Sequence, residues 1–146
     1  MYNKKIRNAT PTEYNNIQFK SKQEVNSYKR LIEAGFMPEY EKTTYTLVPK
    51  LTLSNVLYYI PHKIKVLVSK SSCLPLTYTP DFEFNYKGYT IFYEIKGRPN
   101  DTYPLKRKLF LKYLDENNIK SIFFEPHNLN QIDTSITILH ELPKLS

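Results

Sequence analysis

The sequence predicts an α/β sandwich in which a mixed central sheet lies between helices. Three observations carry this: a capped amphipathic helix signal over residues 21–35, a hairpin signal over 78–97, and a second helix signal at 102–118 followed by a short apolar strand. In chain order they read helix, strands, hairpin, helix, strand. A right-handed final crossover leaves its two strands parallel, so the sheet is mixed.

Residues 1–20 are polar and read as a loosely held N-terminal arm. Ser21-Lys22-Gln23-Glu24 then fits a capping box, and Gly35 stands where a C-terminal cap belongs. Between them Val25, Tyr28, Leu31 and Ile32 form an apolar stripe at helical spacing. Residues 40–48 alternate loosely and read as a strand. A basic, β-rich insertion at 50–76 holds two extended pieces, Leu53 to Ile60 and Ile64 to Ser69, with Pro61-His62-Lys63 as the turn. The hairpin runs from Tyr78 to Phe84, turns over Asn85-Tyr86-Lys87-Gly88, and returns from Tyr89 to Gly97. The second helix takes Thr102 or Tyr103 as cap and Pro104 in its first turn, with Leu105, Leu109, Tyr113 and Leu114 on one face. It stops near Asn117-Asn118. Ser121 to Glu125 is a short buried strand ended by Pro126.

At 146 residues the chain suits a single domain, 1–146, that buries roughly 68–70% of its unfolded surface. Its 40% hydrophobic and 24% charged residues exclude a disordered chain. No apolar run approaches the ~18 residues of a membrane span, and Met1 to Arg7 leads into no signal-like stretch. The lone Cys73 excludes an intramolecular disulfide and a Cys-based zinc cage, and it suits a reducing cytoplasm. The net charge of +7 is unevenly placed: residues 1–73 carry 12 Lys/Arg against 5 Asp/Glu, residues 74–146 carry 9 of each. From Lys42 to Pro80 there are five lysines and no carboxylate. Such a surface attracts phosphates, but charge by itself equally suits a solvated face.

Chemistry concentrates on the hairpin. Side chains alternate along a strand, so Asp81 and Glu83 share one face while Phe82 and Phe84 take the other. On the returning strand Phe92, Glu94 and Lys96 share a face. With a turn symmetric about Tyr86-Lys87, Asp81 lies opposite Phe92 and diagonal to Glu94, roughly 7–8 Å away at the backbone. Two carboxylates that converge offer the hard oxygen ligands Mg²⁺ (or Mn²⁺) prefers, and Lys96 beside them can hold water or offset charge on a phosphate. On strand parity alone, an exposed hairpin with scattered charges explains the pattern better.

Thr79-Pro80-Asp81-Phe82 followed by Tyr93-Glu94-Ile95-Lys96-Gly97 resembles the signature of the PD-(D/E)XK nuclease superfamily. That superfamily's restriction endonuclease-like core has the order α-β-β-β-α-β, matching the elements above. Ser21-Lys22-Gln23-Glu24-Val25, Pro38-Glu39-Tyr40-Glu41 and Tyr78-Thr79-Pro80-Asp81-Phe82 are similar to the phage endonuclease I branch, which resolves four-way (Holliday) DNA junctions. Tyr103 to Lys108 is similar to a basic segment of small phage nucleases, and the likeness covers about residues 19–126. The resemblance implies Asp81 and Glu94 as metal ligands, Lys96 as the catalytic lysine, and Glu24 as the glutamate completing the acidic cluster. The capping box alone would also account for Glu24. Glu83 matches no position in the signature, and a solvated or supporting role is expected of it. The stretch between Pro49 and Thr77 is much longer than in endonuclease I, where the matching region links two subunits.

The expected function is a Mg²⁺-dependent endodeoxyribonuclease acting on branched double-stranded DNA as a homodimer. The alternatives are a monomeric flap or single-strand nuclease and a DNA-binding module that does not cut. Lys63, Lys65, Lys70, Arg98, Lys106, Arg107 and Lys108 are the candidate phosphate contacts. Tyr58, Tyr59 and Tyr78 could stack unpaired bases. His62, His127 and His140 show no metal-ligand spacing, and Cys73 has no evident base.

Overall fold

In the computed structural model, which describes residues 10–96 and 100–145, a four-stranded mixed sheet separates two helices on one face from a third on the other. The chain opens with a small hairpin, β1 (Thr12–Tyr14) and β2 (Ile17–Phe19), turned by Asn15 and Asn16 at φ 52° and 61°. Asparagine tolerates that left-handed backbone, which a two-residue hairpin turn requires. Phe19 is fully buried in the core, so the segment from residue 10 is anchored, contrary to the loose arm expected; residues 1–9 lie outside the described residues.

Helix α1 (Lys22–Glu33) begins with the expected box: Ser21 Oγ accepts from the Glu24 N–H at 3.1 Å. It ends in a Schellman motif, with Gly35 N–H donating to Ile32 O and Phe36 N–H to Leu31 O, and Gly35 at φ 91°. Val25, Tyr28 and Leu31 are buried as expected; Ile32 is exposed, and Ser27 takes the remaining inward position.

The expected strand at 40–48 is two strands, β3 (Glu39–Tyr40) and β4 (Tyr45–Val48). Glu41 at φ 44° breaks them apart, and they join different sheets. The insertion forms β5 (Leu51–Thr52), β6 (Tyr58–Lys63), β7 (Val66–Lys70) and β8 (Ser72–Cys73), followed by β9 (Leu76–Tyr78). Pro61-His62-Lys63 belongs to β6 rather than to a turn; the chain reverses at Ile64-Lys65, and a register shift between Pro61 and Lys63 absorbs the irregularity. Pro61 is tolerated because the ribbon is two-stranded and its outer edges are open. The pairs β4–β9, β5–β8 and β6–β7 stack end to end as one interrupted antiparallel arm.

The central sheet has the order β12-β11-β10-β3, with β10 (Phe82–Tyr86), β11 (Tyr89–Tyr93) and β12 (Ser121–Phe124). β11 is antiparallel to β10 and parallel to β12, the mixed pattern the crossover demands. The turn is Lys87-Gly88 at φ 50° and 90°, a tighter reversal than the four-residue turn expected. Between β11 and β12 runs α2 (Tyr103–Glu116), seated by Tyr103, Phe110 and Leu114; Leu105, expected on its apolar face, is exposed. Helix α3 (Leu129–Glu141) was not foreseen. Asn128 caps it through the Gln131 N–H at 3.0 Å, and it buries Ile132, Ser135 and Leu139 beside α1.

Two apolar clusters follow from the alternation of β10 and β11. Phe82, Phe84, Ile91, Tyr93 and Ile95 pack against α1 and α3, while Phe92 packs with Tyr78, Tyr103, Phe110 and Leu114 under α2. The acidic residues of the hairpin therefore share the α2 face. No helix among the described residues is long and apolar enough to cross a membrane.

Candidate active site

The ladder pairs Phe82 with Tyr93, which places Asp81 one step further on, opposite Glu94. The expected register put Asp81 opposite Phe92; the tight turn moves the pairing by two positions. Face parity survives such a shift because side chains alternate with a period of two. The two carboxylates are thus direct cross-strand neighbours rather than a diagonal pair.

Local geometry explains how Asp81 reaches this position. Pro80 is fully buried and offers no N–H, and Thr79 Oγ1 lies 2.7 Å from Thr44 Oγ1, one position beyond the Tyr45–Tyr78 pair. The Asp81 carbonyl accepts from Glu41 N–H at 2.9 Å, and its Oδ2 accepts from Ile95 N–H at 2.6 Å. On the other edge Glu94 N–H donates to Phe124 O and Lys96 N–H to Pro126 O, prolonging the parallel ladder. Asp81 thus fills the edge of β11's continuation that β10 leaves open.

Glu94 is buried, and both its oxygens are occupied: Lys96 Nζ lies 2.6 Å from Oε1, and the Tyr78 hydroxyl donates to Oε2 at 2.5 Å. Lys96 Nζ also sits 4.0 Å from the centre of the Tyr103 ring, a cation–π contact that fixes its position. Tyr103 in turn donates to Glu125 Oε1 at 2.6 Å, and Arg107 and His127 reach the same carboxylate at 2.9 Å and 3.1 Å. Burial, and next the negative charge of Glu94, hold the Asp81 carboxyl well above its usual range. Burial and the Glu94 charge likewise push the Tyr78 phenol up, so it donates rather than ionises.

Tyr78, Asp81, Glu94, Lys96 and Tyr103 line an open, polar cleft of about 350 Å³, with Lys20, Glu41 and Lys106 on its rim. Lys20 Nζ pairs with Glu41, which raises the lysine's affinity for its proton. Glu24 stands behind this rim, outside the cleft lining. Its Oε1 accepts from Ser21 Oγ at 3.0 Å, and its Oε2 accepts from Tyr40 OH at 2.6 Å and Lys20 N–H at 3.2 Å. Those contacts hold it at the start of α1, and its charge reaches Asp81 only as a lesser influence. Among the described residues no three His, Cys, Asp or Glu side chains converge as a ready metal cage.

The remaining candidates separate cleanly. Lys106 joins the cleft, Arg107 is engaged with Glu125, and Lys108 is exposed. Lys63, Lys65 and Lys70 lie on the exposed β6–β7 ribbon; Arg98 lies outside the described residues. Tyr58 and Tyr59 are exposed on the ribbon, but Tyr78 is buried against Glu94 and unavailable for base stacking. Glu83 is half-buried, and its Oε2 is enclosed without a hydrogen-bond partner among the described residues. Its charge, after burial, pushes the Tyr45 phenol up to about 12. Sequence reasoning missed Lys20, Glu41 and the role of Tyr103, because only the tertiary fold brings them to the cleft, and it missed Glu125, which holds Tyr103 from outside the cleft lining.

The fold and site define a mixed α/β protein with an acidic pair and a lysine facing one cleft. Residues 4–125 match the family described as protein of unknown function (DUF1064), and the chain belongs to that family. No curated protein and no solved structure matches it.

Proposed function

We propose that this protein is a divalent-metal-dependent endodeoxyribonuclease acting on branched DNA, foremost the four-way junction. The observation that carries the reading is the meeting of Asp81, Glu94 and Lys96 at one polar cleft, at the spacing of the nuclease signature that the sequence resembles. The donor set fits a hard cation. Asp81 is a buried carboxylate opposite a second one, and the charge of a bound divalent ion would offset what burial and the Glu94 charge impose on it. Asp81 and Glu94 would hold Mg²⁺ or Mn²⁺, which supplies Lewis acidity and an activated water when bound.

The chain's own groups do the rest. Lys96 Nζ, steadied by Glu94 and the Tyr103 face, presents N–H donors to a phosphate oxygen or an attacking water. Lys20 and Lys106 on the rim attract the polyanion. Tyr78 and Ile95 N–H orient the two carboxylates. Resolution of a junction takes two symmetric nicks, so the active form in this reading is a homodimer with one cleft per protomer.

The test is nicking of an end-labelled four-way junction with Mg²⁺, Mn²⁺ or EDTA, alongside flap and linear duplex controls. Metal-dependent cutting with preference for the junction supports the reading. Preference for flaps, with a single-chain sedimentation mass, supports the monomeric alternative. No cutting of any substrate with either metal overturns the assignment.

A further inference from the structure

The arm formed by β4 to β9 is rooted at Tyr78 in the cleft and ends in the β6–β7 ribbon, whose residues pair mainly with one another. A ribbon whose longer strand has six residues spans about 20 Å, and an isolated two-stranded ribbon is marginally stable in water. It nonetheless exposes an unusual amount of apolar surface. Tyr58 and Val66 stand on one face, Tyr59 and Leu67 on the other, and all are exposed. At the tip Ile64 is 92% exposed, between Lys63 and Lys65. Lys65 holds φ 61° to make the turn, a conformation that Gly or Asn adopts more easily. The tip thus combines a strained backbone, an outward β-branched side chain and two cations.

Charge selects the occupant of this surface. No carboxylate occurs from Lys42 to Pro80, so every charged side chain on the arm is a lysine. A second copy would set these lysines against their own counterparts, whereas a nucleic acid supplies the complementary charge. A two-stranded ribbon fits a duplex groove, and an apolar side chain flanked by cations is the chemistry that wedges between base steps while phosphates are held on both sides.

We infer that the β6–β7 ribbon is a nucleic-acid-deforming arm, with Ile64 inserting at a base step and Lys63 and Lys65 gripping the flanking phosphates. The inference rests on the nucleic-acid reading above and adds to it a kink made at a distance from the cleft. Insertion of this kind bends a duplex by about 20–90°.

The experiment uses the full chain in EDTA, with duplex and junction DNA carrying 2-aminopurine at successive steps and a donor–acceptor pair on the ends. At saturating wild-type protein, one step should brighten and the end-to-end distance should shorten. Ile64→Ala should abolish both signals at saturation, and Ile64→Leu should restore them. Lys63→Glu with Lys65→Glu should weaken binding at least tenfold and reduce the salt slope by about 0.9 per lost phosphate contact. The inference is overturned if Ile64→Ala brightens and bends the DNA like wild type, or if the charge reversal leaves the salt slope unchanged. It is also overturned if Ile64→Ser converts a dimer to monomers with DNA bending intact, which would assign the tip to a second copy. Absence of any DNA binding by wild type would instead sink the nucleic-acid reading itself; normal cutting with unaltered DNA shape would sink only the arm.

Discussion

The hydroxyl of Tyr78 donates a 2.5 Å hydrogen bond to Glu94 Oε2, joining the root of the protruding arm to the buried carboxylate of the cleft. Tyr78 packs at 4.8 Å from the Phe110 ring, so one side chain links β9, α2 and the candidate metal site. Tyr78→Phe keeps that packing and strips Glu94 of a donor. A hydrogen bond to a charged group contributes about 1.5–3 kcal/mol, and stability should fall by an amount in that range. Urea unfolding in EDTA measures it; an unchanged midpoint would mean the bond contributes nothing net.

The carboxylates of the shared hairpin face should separate by role. Asp81→Asn keeps the shape and the acceptor for Ile95 N–H but removes the charge a cation needs. Cleavage should drop by several orders of magnitude, as when one member of a cooperating catalytic set is removed, and junction binding should persist. Glu94→Gln should behave alike, whereas Glu83→Gln should cut at close to the wild-type rate. Single-turnover assays decide, and normal cutting by all three variants would end the nuclease reading.

Lys96→Met retains the aliphatic stem against Tyr103 while removing the ammonium. Loss of one preorganised donor typically costs about 10²–10³ in turnover. The rate under saturating junction should fall by that factor with little change in binding. Wild-type turnover in this variant would show that Lys96 serves only to neutralise Glu94.

Glu24 can be assigned by paired substitutions. Glu24→Gln still accepts from Ser21 and Tyr40, so a capping residue should survive it with stability and cutting nearly intact. Glu24→Ala should lose about 0.5–2 kcal/mol, the usual cost of a broken cap. Cutting abolished by Glu24→Gln at full stability would make the residue a metal ligand.

The raised Asp81 carboxyl has a pH signature. Its ordinary value is 3.8 and the folded value is higher, so the fold binds this proton more tightly than the unfolded chain does. Its contribution is therefore complete below the ordinary value and is lost as pH rises through the folded one. In EDTA, wild type should lose stability relative to Asp81→Asn as pH climbs from 4 toward neutrality. A constant gap between the two unfolding curves would contradict this. Glu125, whose carboxyl is lowered by Tyr103, Arg107 and His127 against the effect of burial, shifts both proteins equally.

Much of this molecule was legible in the chain. Helix α1, the β10–β11 hairpin, α2 and the parallel β12 follow from capping residues, the Asn-Tyr-Lys-Gly turn signal and periodicity, all of which act within a few residues. The shared face of Asp81, Glu94 and Lys96 followed from strand parity, which is indifferent to the two-position error in register. The tertiary structure decided the rest. Glu41 at positive φ split one expected strand between two sheets, and α3 found its place by packing Ile132 and Leu139 beside α1. The lysine–tyrosine–glutamate relay from Lys96 through Tyr103 to Glu125 joins residues from β11's end, α2 and the end of β12. Alternation and capping are local and can be read along a chain. Which distant side chains share a buried cleft depends on how the sheet and helices pack, and that is settled only when the core closes.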